Sequence, residues 1–299
     1  MIISIIVLSK DEERLADTLG ALTAHVSCAE IWGDHDIEVM VVDASQGRLA
    51  HIARANPLVR WIDFTPPAGV RVSIPHQRNA GIEAALGEII VFTDAGCIPA
   101  EGWLDRLLTP IIADDECVTC GPMSMADNVY SPERGAPVPR YVEEAPTANL
   151  AFKRELLDAI AGFDEDFEYG SDIDFTWRLV AEGARIRYVA DAVVDHDWGT
   201  FRRQLKRSRQ YGQARIRLYR KHRDRQRNLL LHDPVPILYP LYILGLPLAL
   251  RYRSYLLLVA VPLWRARKRP SPVRVVACHF AEGIGSLKEF AAVARGVGR

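Results

Sequence analysis

The chain has 299 residues, of which 49% are hydrophobic and 25% charged, and a formal net charge of −1. This composition sustains a large buried core and excludes a disordered chain, and five scattered cysteines exclude a disulfide framework and fit a reducing cytoplasm. The near-zero charge conceals an asymmetry: residues 1–200 carry 15 Lys and Arg against 34 Asp and Glu, whereas residues 201–299 carry 22 against 4.

Ile2–Leu8 is a run of Ile and Val that predicts a buried strand. It is too short for a signal peptide and no basic region precedes it. Asp11–Leu22 places Leu15, Leu19 and Leu22 at helical spacing. Ile37–Val42 and Leu58–Phe64 predict further strands, Ser73–Leu86 a helix with Pro75 in its first turn, and Glu88–Thr93 a fourth strand. Strands alternating with helices point to a mostly parallel sheet, whose ligand crevice lies outside the carboxyl ends of the strands. The polar residues just past those ends are Ser9, Asp11, Glu12, Asp43 and Asp94.

Cys117–Met123 and Ala148–Phe152 predict strands joined by a long irregular connection through Pro132, Pro137, Pro139 and Pro146. Cys117 and Cys120 form a single CxxC without a second pair, so they read as strand residues rather than zinc ligands. Ser171–Glu182 predicts a helix ended by Gly183, and Arg185–Val194 one or two strands. From Phe201 a long basic helix follows, with Phe201, Leu205, Ser208, Tyr211, Ala214 and Leu218 along one side. Two apolar stretches, Val235–Leu250 and Tyr255–Trp264, come next. Prolines and Arg251 and Arg253 interrupt them, and both fall short of the roughly 20 residues that span a bilayer. They predict interfacial placement, with Tyr239, Tyr242, Tyr252, Tyr255 and Trp264 at headgroup level.

Several carboxylates sit where they can do chemistry. Asp43 could accept the imide N–H of a uracil or a sugar hydroxyl, or simply cap a turn. Asp94, followed by Ala95 and Gly96, could hold Mg²⁺ or Mn²⁺ with oxygens from a diphosphate, or again serve a turn. Ser171 and Asp174 have the spacing of a capping box, which leaves Asp172 available as a general base. His196, after an apolar strand, has the chemistry of a metal ligand or of a hydrogen-bonded structural residue.

Taken in order, these segments resemble family 2 glycosyltransferases with the GT-A fold. The resemblance rests on Ser9-Lys10-Asp11-Glu12, Asp43-Ala44-Ser45, Arg78-Asn79-Ala80-Gly81 and Leu86 to Asp94. It continues through Asn149-Leu150-Ala151-Phe152, Gly162-Phe163-Asp164-Glu165, Ser171-Asp172-Ile173-Asp174 and Ala192 to His196, covering about residues 2 to 198. It implies a Rossmann-like α/β domain over 1–199, with a nucleotide-sugar-binding half (1–98) and an acceptor half (99–199), followed by a basic and apolar region over 200–299. It also implies that Ser9, Glu12 and Asp43 line a nucleoside pocket, that Arg71 or Arg78 meets the diphosphate, and that Asp94 contacts the ribose or a divalent metal. His196 would complete the metal or diphosphate site and Asp172 would be the base of an inverting transfer to a hydroxyl. Two departures stand out: Gly96 replaces the second carboxylate of the family's Asp-x-Asp, and Ser171 replaces the Glu of Glu-Asp-x-Asp.

The basic region with its aromatic, proline-broken sequel favours an anionic lipid surface over nucleic acid, and an alternative is packing against the chain's own acidic half. The expected protein therefore works in the cytoplasm at the inner face of a membrane, on a lipid-linked or cell-surface glycan. The competing reading is a degenerate relative that binds nucleotide-sugar or lipid without turnover. A nicotinamide dehydrogenase fits less well, because no GxGxxG follows the first strand.

Overall fold

Four of the apolar runs become parallel strands, β1 (Ile2–Ser9), β2 (Asp36–Asp43), β3 (Arg60–Asp63) and β4 (Ile89–Asp94). The computed structural model describes residues 1–27, 35–70, 73–125, 128–130, 139–197, 199–269 and 271–296. Its internal contacts divide the chain into Met1–Asp197 and Trp198–Arg299.

In the first unit the shorter strands are β5 (Cys97–Pro99), β6 (Val118–Cys120), β7 (Met123–Met125), β8 (Asn128–Tyr130), β9 (Arg140–Val142), β10 (Leu150–Lys153), β11 (Ile186–Tyr188) and β12 (Val194–His196). An eight-stranded sheet runs β3-β2-β1-β4-β10-β6-β11-β9, and a smaller one β5-β12-β7-β8. β3, β2, β1 and β4 are mutually parallel, and β10 enters antiparallel between β4 and β6. The helices are α1 (Leu15–Ser27), α2 (Ala50–Ala55), α3 (Ile74–Ala84), α4 (Trp103–Ile112), α5 (Leu157–Ile160) and α6 (Ser171–Ala181).

One sheet face forms a core in which Ile6, Leu8, Val42, Ile90 and Phe92 meet Ile82 of α3 and Phe175 and Leu179 of α6. Phe163 stacks on Phe175 with centroids 4.2 Å apart and meets Phe92 edge-on at 5.6 Å, geometries that aromatic quadrupoles favour. The other face carries α4, whose Leu107 carbonyl accepts from Thr119 Oγ1 of β6 at 2.7 Å.

Three expectations need correction here. The strand predicted over Cys117–Met123 breaks at Gly121, and its two ends join different sheets. Gly121 is required at that point, because a Cβ there would lie 2.0 Å from the Ala192 carbonyl oxygen. The connection predicted as irregular contains β8 and β9; Pro132 and Pro137 lie outside the described residues. The helix predicted from Asp11 begins at Leu15. Asp11 takes a left-handed φ of 55°, held by its amide donating to Ser45 Oγ at 2.7 Å and by Arg48 Nε donating to its carboxylate at 2.6 Å.

The second unit is helical: α7 (Phe201–Lys221), α8 (Gln226–Leu231), α9 (Val235–Leu244), α10 (Ala260–Ala266) and α11 (Pro272–Ala294), with 3₁₀ turns over Leu246–Leu250 and Arg253–Val259. α7 and α11 approach so closely that a Cβ on Gly212 would lie 1.9 Å from the Glu282 carbonyl oxygen, and one on Gly285 1.9 Å from that of Arg209. This seam corrects the predicted apolar side of α7. Ala214 and Leu218 are buried as expected, whereas Tyr211 is 43% exposed and Gly212, Ile216 and Tyr219 are buried beside them. Tyr239, expected at headgroup level, is also buried: it packs with Ala266 and Val276, and its hydroxyl meets His279 Nδ1 at 3.1 Å. Among the described residues no helix is long and apolar enough to cross a membrane.

Candidate active site

The site follows from strand register. Ser9 of β1 pairs with Asp43 of β2, and Leu8 of β1 pairs with Asp94 of β4. Asp43 and Asp94 therefore end strands on either side of β1, about 10 Å apart by the spacing of two strands. Side chains alternate along a strand, so Ser9 and Asp43 leave the sheet on one face. Asp94 leaves it on the other, the face that also carries α3 and α6.

Ser9 and Asp43 form a buried polar pair. Asp43 Oδ1 accepts from the Ser45 hydroxyl at 2.5 Å and from its amide at 3.2 Å. Asp43 Oδ2 and Ser9 Oγ are also buried, and no group among the described residues satisfies them. Buried polar atoms normally find partners, so two orphans side by side at a crevice mark a place for a polar ligand. Gln77 of α3 holds this corner together, its Nε2 donating to the carbonyls of Ser9 and Val42, both at 3.0 Å. Sequence reasoning passed over Gln77. Its one visible sign was a polar residue immediately before Arg78.

On the other face, α3 and α6 meet through charge. Arg78 is buried, and its Nη1 donates to Ser171 Oγ at 2.7 Å while its guanidinium lies 5.1 Å from the centroid of Phe163. Its Nε has no partner among the described residues. Asp172 stands next to this contact. Loss of hydration on burial pushes its carboxyl above the usual aspartate range, and Arg78 and the Ile173 amide, which donates at 2.9 Å, hold it back. The charge of Asp94 pushes it up further, so Asp94 and Asp172 share one electrostatic neighbourhood.

The capping box predicted for α6 is absent. Gly170, at φ 79°, occupies the cap position, and no side chain caps the helix. Ser171 is drawn away by Arg78, and Asp174, fully buried, accepts from Arg178 Nε at 2.8 Å. Buried Arg78 and partly buried Arg178 each need an oxygen partner more than a solvated helix end does.

The remaining motif segments act as clasps. Asn79 donates to the Phe163 carbonyl and to Glu165, both at 2.9 Å, and accepts from the Phe163 amide at 2.8 Å. Asn149, fully buried, donates to the carbonyls of Pro122 and Ala192 and accepts from Trp103 Nε1, at 2.8–2.9 Å. These residues set the positions of α4, α6 and the approach to β12.

The structure puts residue 96 in an unusual setting. Gly96 has φ 87°, and a side chain begun there would come within 3.7 Å of Glu12 Cγ and 3.8 Å of its Cδ. Glu12 thus lies against the place where Asp-x-Asp would carry its second acid. His196 is the register partner of Cys97. The Cys97 thiol is pushed up to about 12, first by burial and then by the charge of Asp94. An ion pair of Arg14 with Asp197 at 3.0 Å ties the β1–α1 turn to the end of β12. Among the described residues no three His, Cys, Asp or Glu side chains form a ready-made metal cage. Asp94 and His196 carry the donor chemistry that could share a divalent cation with diphosphate oxygens. Arg71, the other candidate for the diphosphate, lies outside the described residues. Cys120 is a buried unpaired thiol in β6, pushed up to about 12 by burial.

Comparison with known proteins finds a matching family and similar folds. The chain is 30% identical over 171 residues to the pre-mycofactocin glycosyltransferase of Mycobacterium tuberculosis (strain CDC 1551 / Oshkosh), an alignment covering 52% of this chain and 36% of that protein. The chain thus spans only about a third of the length of that relative. Its fold is similar to that of the mannosyltransferase PcManGT from Pyrobaculum calidifontis, solved in complex with GDP-Man and Mn²⁺ (TM-score 0.65, 19% identity, 96% of this chain and 86% of that one). It is also similar to S. aureus TarS 1-349 in complex with UDP-GlcNAc (TM-score 0.52, 16% identity, 99% and 92%). The model of the family Glycosyl transferase family 2 matches residues 4–156, more than half of the chain, and the chain therefore belongs to that family.

Proposed function

We propose that this chain transfers a sugar from a nucleoside-diphosphate donor to an acceptor hydroxyl with inversion at the anomeric carbon, with Asp172 as general base. The observation that carries the reading is the pair of buried, unsatisfied atoms Ser9 Oγ and Asp43 Oδ2 at the carboxyl edge of the sheet, on the first and second strands beside that of Asp94. That pair suits the polar edge of a base or ribose. Asp94, two strands along on the other face, suits the diphosphate end of the same extended molecule, and Arg78 offers its unsatisfied Nε on that side. In this reading residues 1–98 hold the donor and residues 99–199 present the acceptor.

Asp172 takes the proton of the acceptor hydroxyl as its oxygen bonds to the anomeric carbon, and the bond from that carbon to the diphosphate oxygen breaks on the opposite side. Its raised pKa makes it a stronger base than an ordinary aspartate. A Mg²⁺ or Mn²⁺ held by Asp94 and His196, with Glu12 nearby, would neutralise charge on the departing nucleoside diphosphate. A lipid-linked or cell-surface glycan, met from the cytoplasmic side of a membrane, is the acceptor class that suits the basic, apolar second unit.

The test is to incubate the full chain with UDP- and GDP-sugars, with and without Mn²⁺, and to follow donor cleavage and the anomeric configuration of any product by NMR. Cation-dependent cleavage with an inverted product is expected. Donors that bind and are never cleaved would establish the degenerate relative instead, and a retained configuration would remove Asp172 from the role of base.

A further inference from the structure

The second unit exposes an apolar surface that its own core does not need. Of the 21 large hydrophobic side chains exposed among the described residues, 12 lie between Leu238 and Trp264. Leu250 is 92% exposed, Leu257 72% and Leu256 54%. A patch of this kind is rare on a monomeric surface and marks a contact. The same segment is anchored from beneath, because Tyr239, Ala266 and Val276 form a small core with Leu263 and Phe280 packed against it. The leucines are thus held outward by a built scaffold.

The charge pattern identifies the occupant. From residue 234 to residue 281 there is no Asp or Glu, and there are seven Arg and Lys. The Arg267 guanidinium lies 4.0 Å from the centroid of Trp264, and that of Arg251 lies 5.3 Å from the centroid of Tyr252. Both rings are largely exposed, so each pairs an aromatic of headgroup type with a cation within the leucine-rich segment. Two of the unit's four acids are already occupied internally, Asp233 with Arg215 and Glu289 with Arg217, both at 2.9 Å. A second copy of the chain seated here would bring like charges together. An anionic bilayer supplies both things the surface lacks, an apolar medium and negative headgroups.

We infer that the segment from Leu238 to Trp264 is a monotopic membrane-docking surface, which lays its leucines into one leaflet of an anionic bilayer while Arg251, Arg253, Arg265, Arg267 and Lys268 meet the headgroups. With no helix among the described residues able to cross, the segment lies in the interface instead of spanning it. The inference is independent of the chemistry at Asp172, since vesicle binding is read without donor or acceptor and either reading can fail alone.

The experiment is flotation of the full chain with vesicles of phosphatidylglycerol and, separately, of phosphatidylcholine. Wild-type protein should float with phosphatidylglycerol, and added salt should weaken binding. The double variant L256E/L257E should bind at least about tenfold more weakly, because burial of even one leucine is worth more than a factor of ten. Replacing Arg265, Arg267 and Lys268 with Gln should weaken binding to phosphatidylglycerol selectively. L58E, at an exposed leucine of the first unit, should bind as wild type does, and matching thermal melts should show that all variants fold. Wild-type protein that stays at the bottom of the gradient would overturn the inference, as would L256E/L257E that floats like wild type. A stable dimer that L256E/L257E dissolves, with no flotation, would assign the surface to a second copy instead.

Discussion

Replacing Asp172 with Asn separates chemistry from architecture at this site. Asn has nearly the same shape, and its Oδ1 can still accept from the Ile173 amide, a contact of 2.9 Å in the wild-type structure. Arg78 loses a nearby negative charge but keeps Ser171 Oγ at 2.7 Å. Partial burial already disfavours the ionised form of Asp172, so removing the charge gives up little favourable solvation, and the melting temperature should not fall. What disappears is the proton acceptor. General-base catalysis is worth about 10²–10⁴ in rate, or about 3–5 kcal/mol of barrier. The turnover number should drop by that factor while donor affinity, measured by calorimetry, stays within about threefold. The wild-type pH profile supplies a second check. The base works only when ionised, so activity should rise with pH through a midpoint above that of an ordinary aspartate. Arg78→Met removes the opposing cation and should move that midpoint upward. Transfer by Asp172→Asn within tenfold of wild type, or a loss explained entirely by donor binding, would refute the assignment.

Asn149→Ala strands Trp103 Nε1 and two buried carbonyls and should cost about 3–5 kcal/mol in denaturant unfolding, measured as a shift in midpoint. Glu282 of α11 is raised from 4.5 to about 7, first by burial and then by the charge of Asp233. The folded state therefore holds its proton more tightly than the unfolded chain. This contribution to stability is complete below about pH 4.5 and is lost as pH rises to about 7, at most about 3 kcal/mol. Thermal melts should show Glu282→Gln losing that dependence and gaining relative stability at pH 8. Glu12→Gln should raise the Mn²⁺ concentration for half-maximal transfer by roughly tenfold or more, and an unchanged cation requirement would show that Glu12 does not stand in for an acid at position 96.

The parallel half of the sheet was readable because strands buried on both faces need unbroken apolar runs, and Ile2–Leu8, Ile37–Val42 and Glu88–Thr93 have them. The turns that place Asp43 and Asp94 at one edge follow from where those runs stop. α4 left less trace, since Pro110 lies inside it and nothing caps it, although Leu104, Leu107, Leu108 and Ile111 are buried. α11 was missed because, beyond Val276 and Ala281, its buried face is built on Gly283, Gly285, Ser286 and Glu289, which give no apolar periodicity. The capping box at Ser171 failed for another reason. Local spacing cannot show that a buried arginine 93 positions away competes for the same hydroxyl.

Sequence alone determined the family, the alternation of strand and helix, and the acidic and basic division of the chain, because each is written in local order and composition. The tertiary structure decided which of those residues meet: Arg78 with Ser171, Asp94 within electrostatic reach of Asp172, Glu12 against Gly96, and leucines turned outward on a basic scaffold. Those pairings depend on register and on competition among distant groups for buried partners, and neither quantity is encoded in any short stretch of chain.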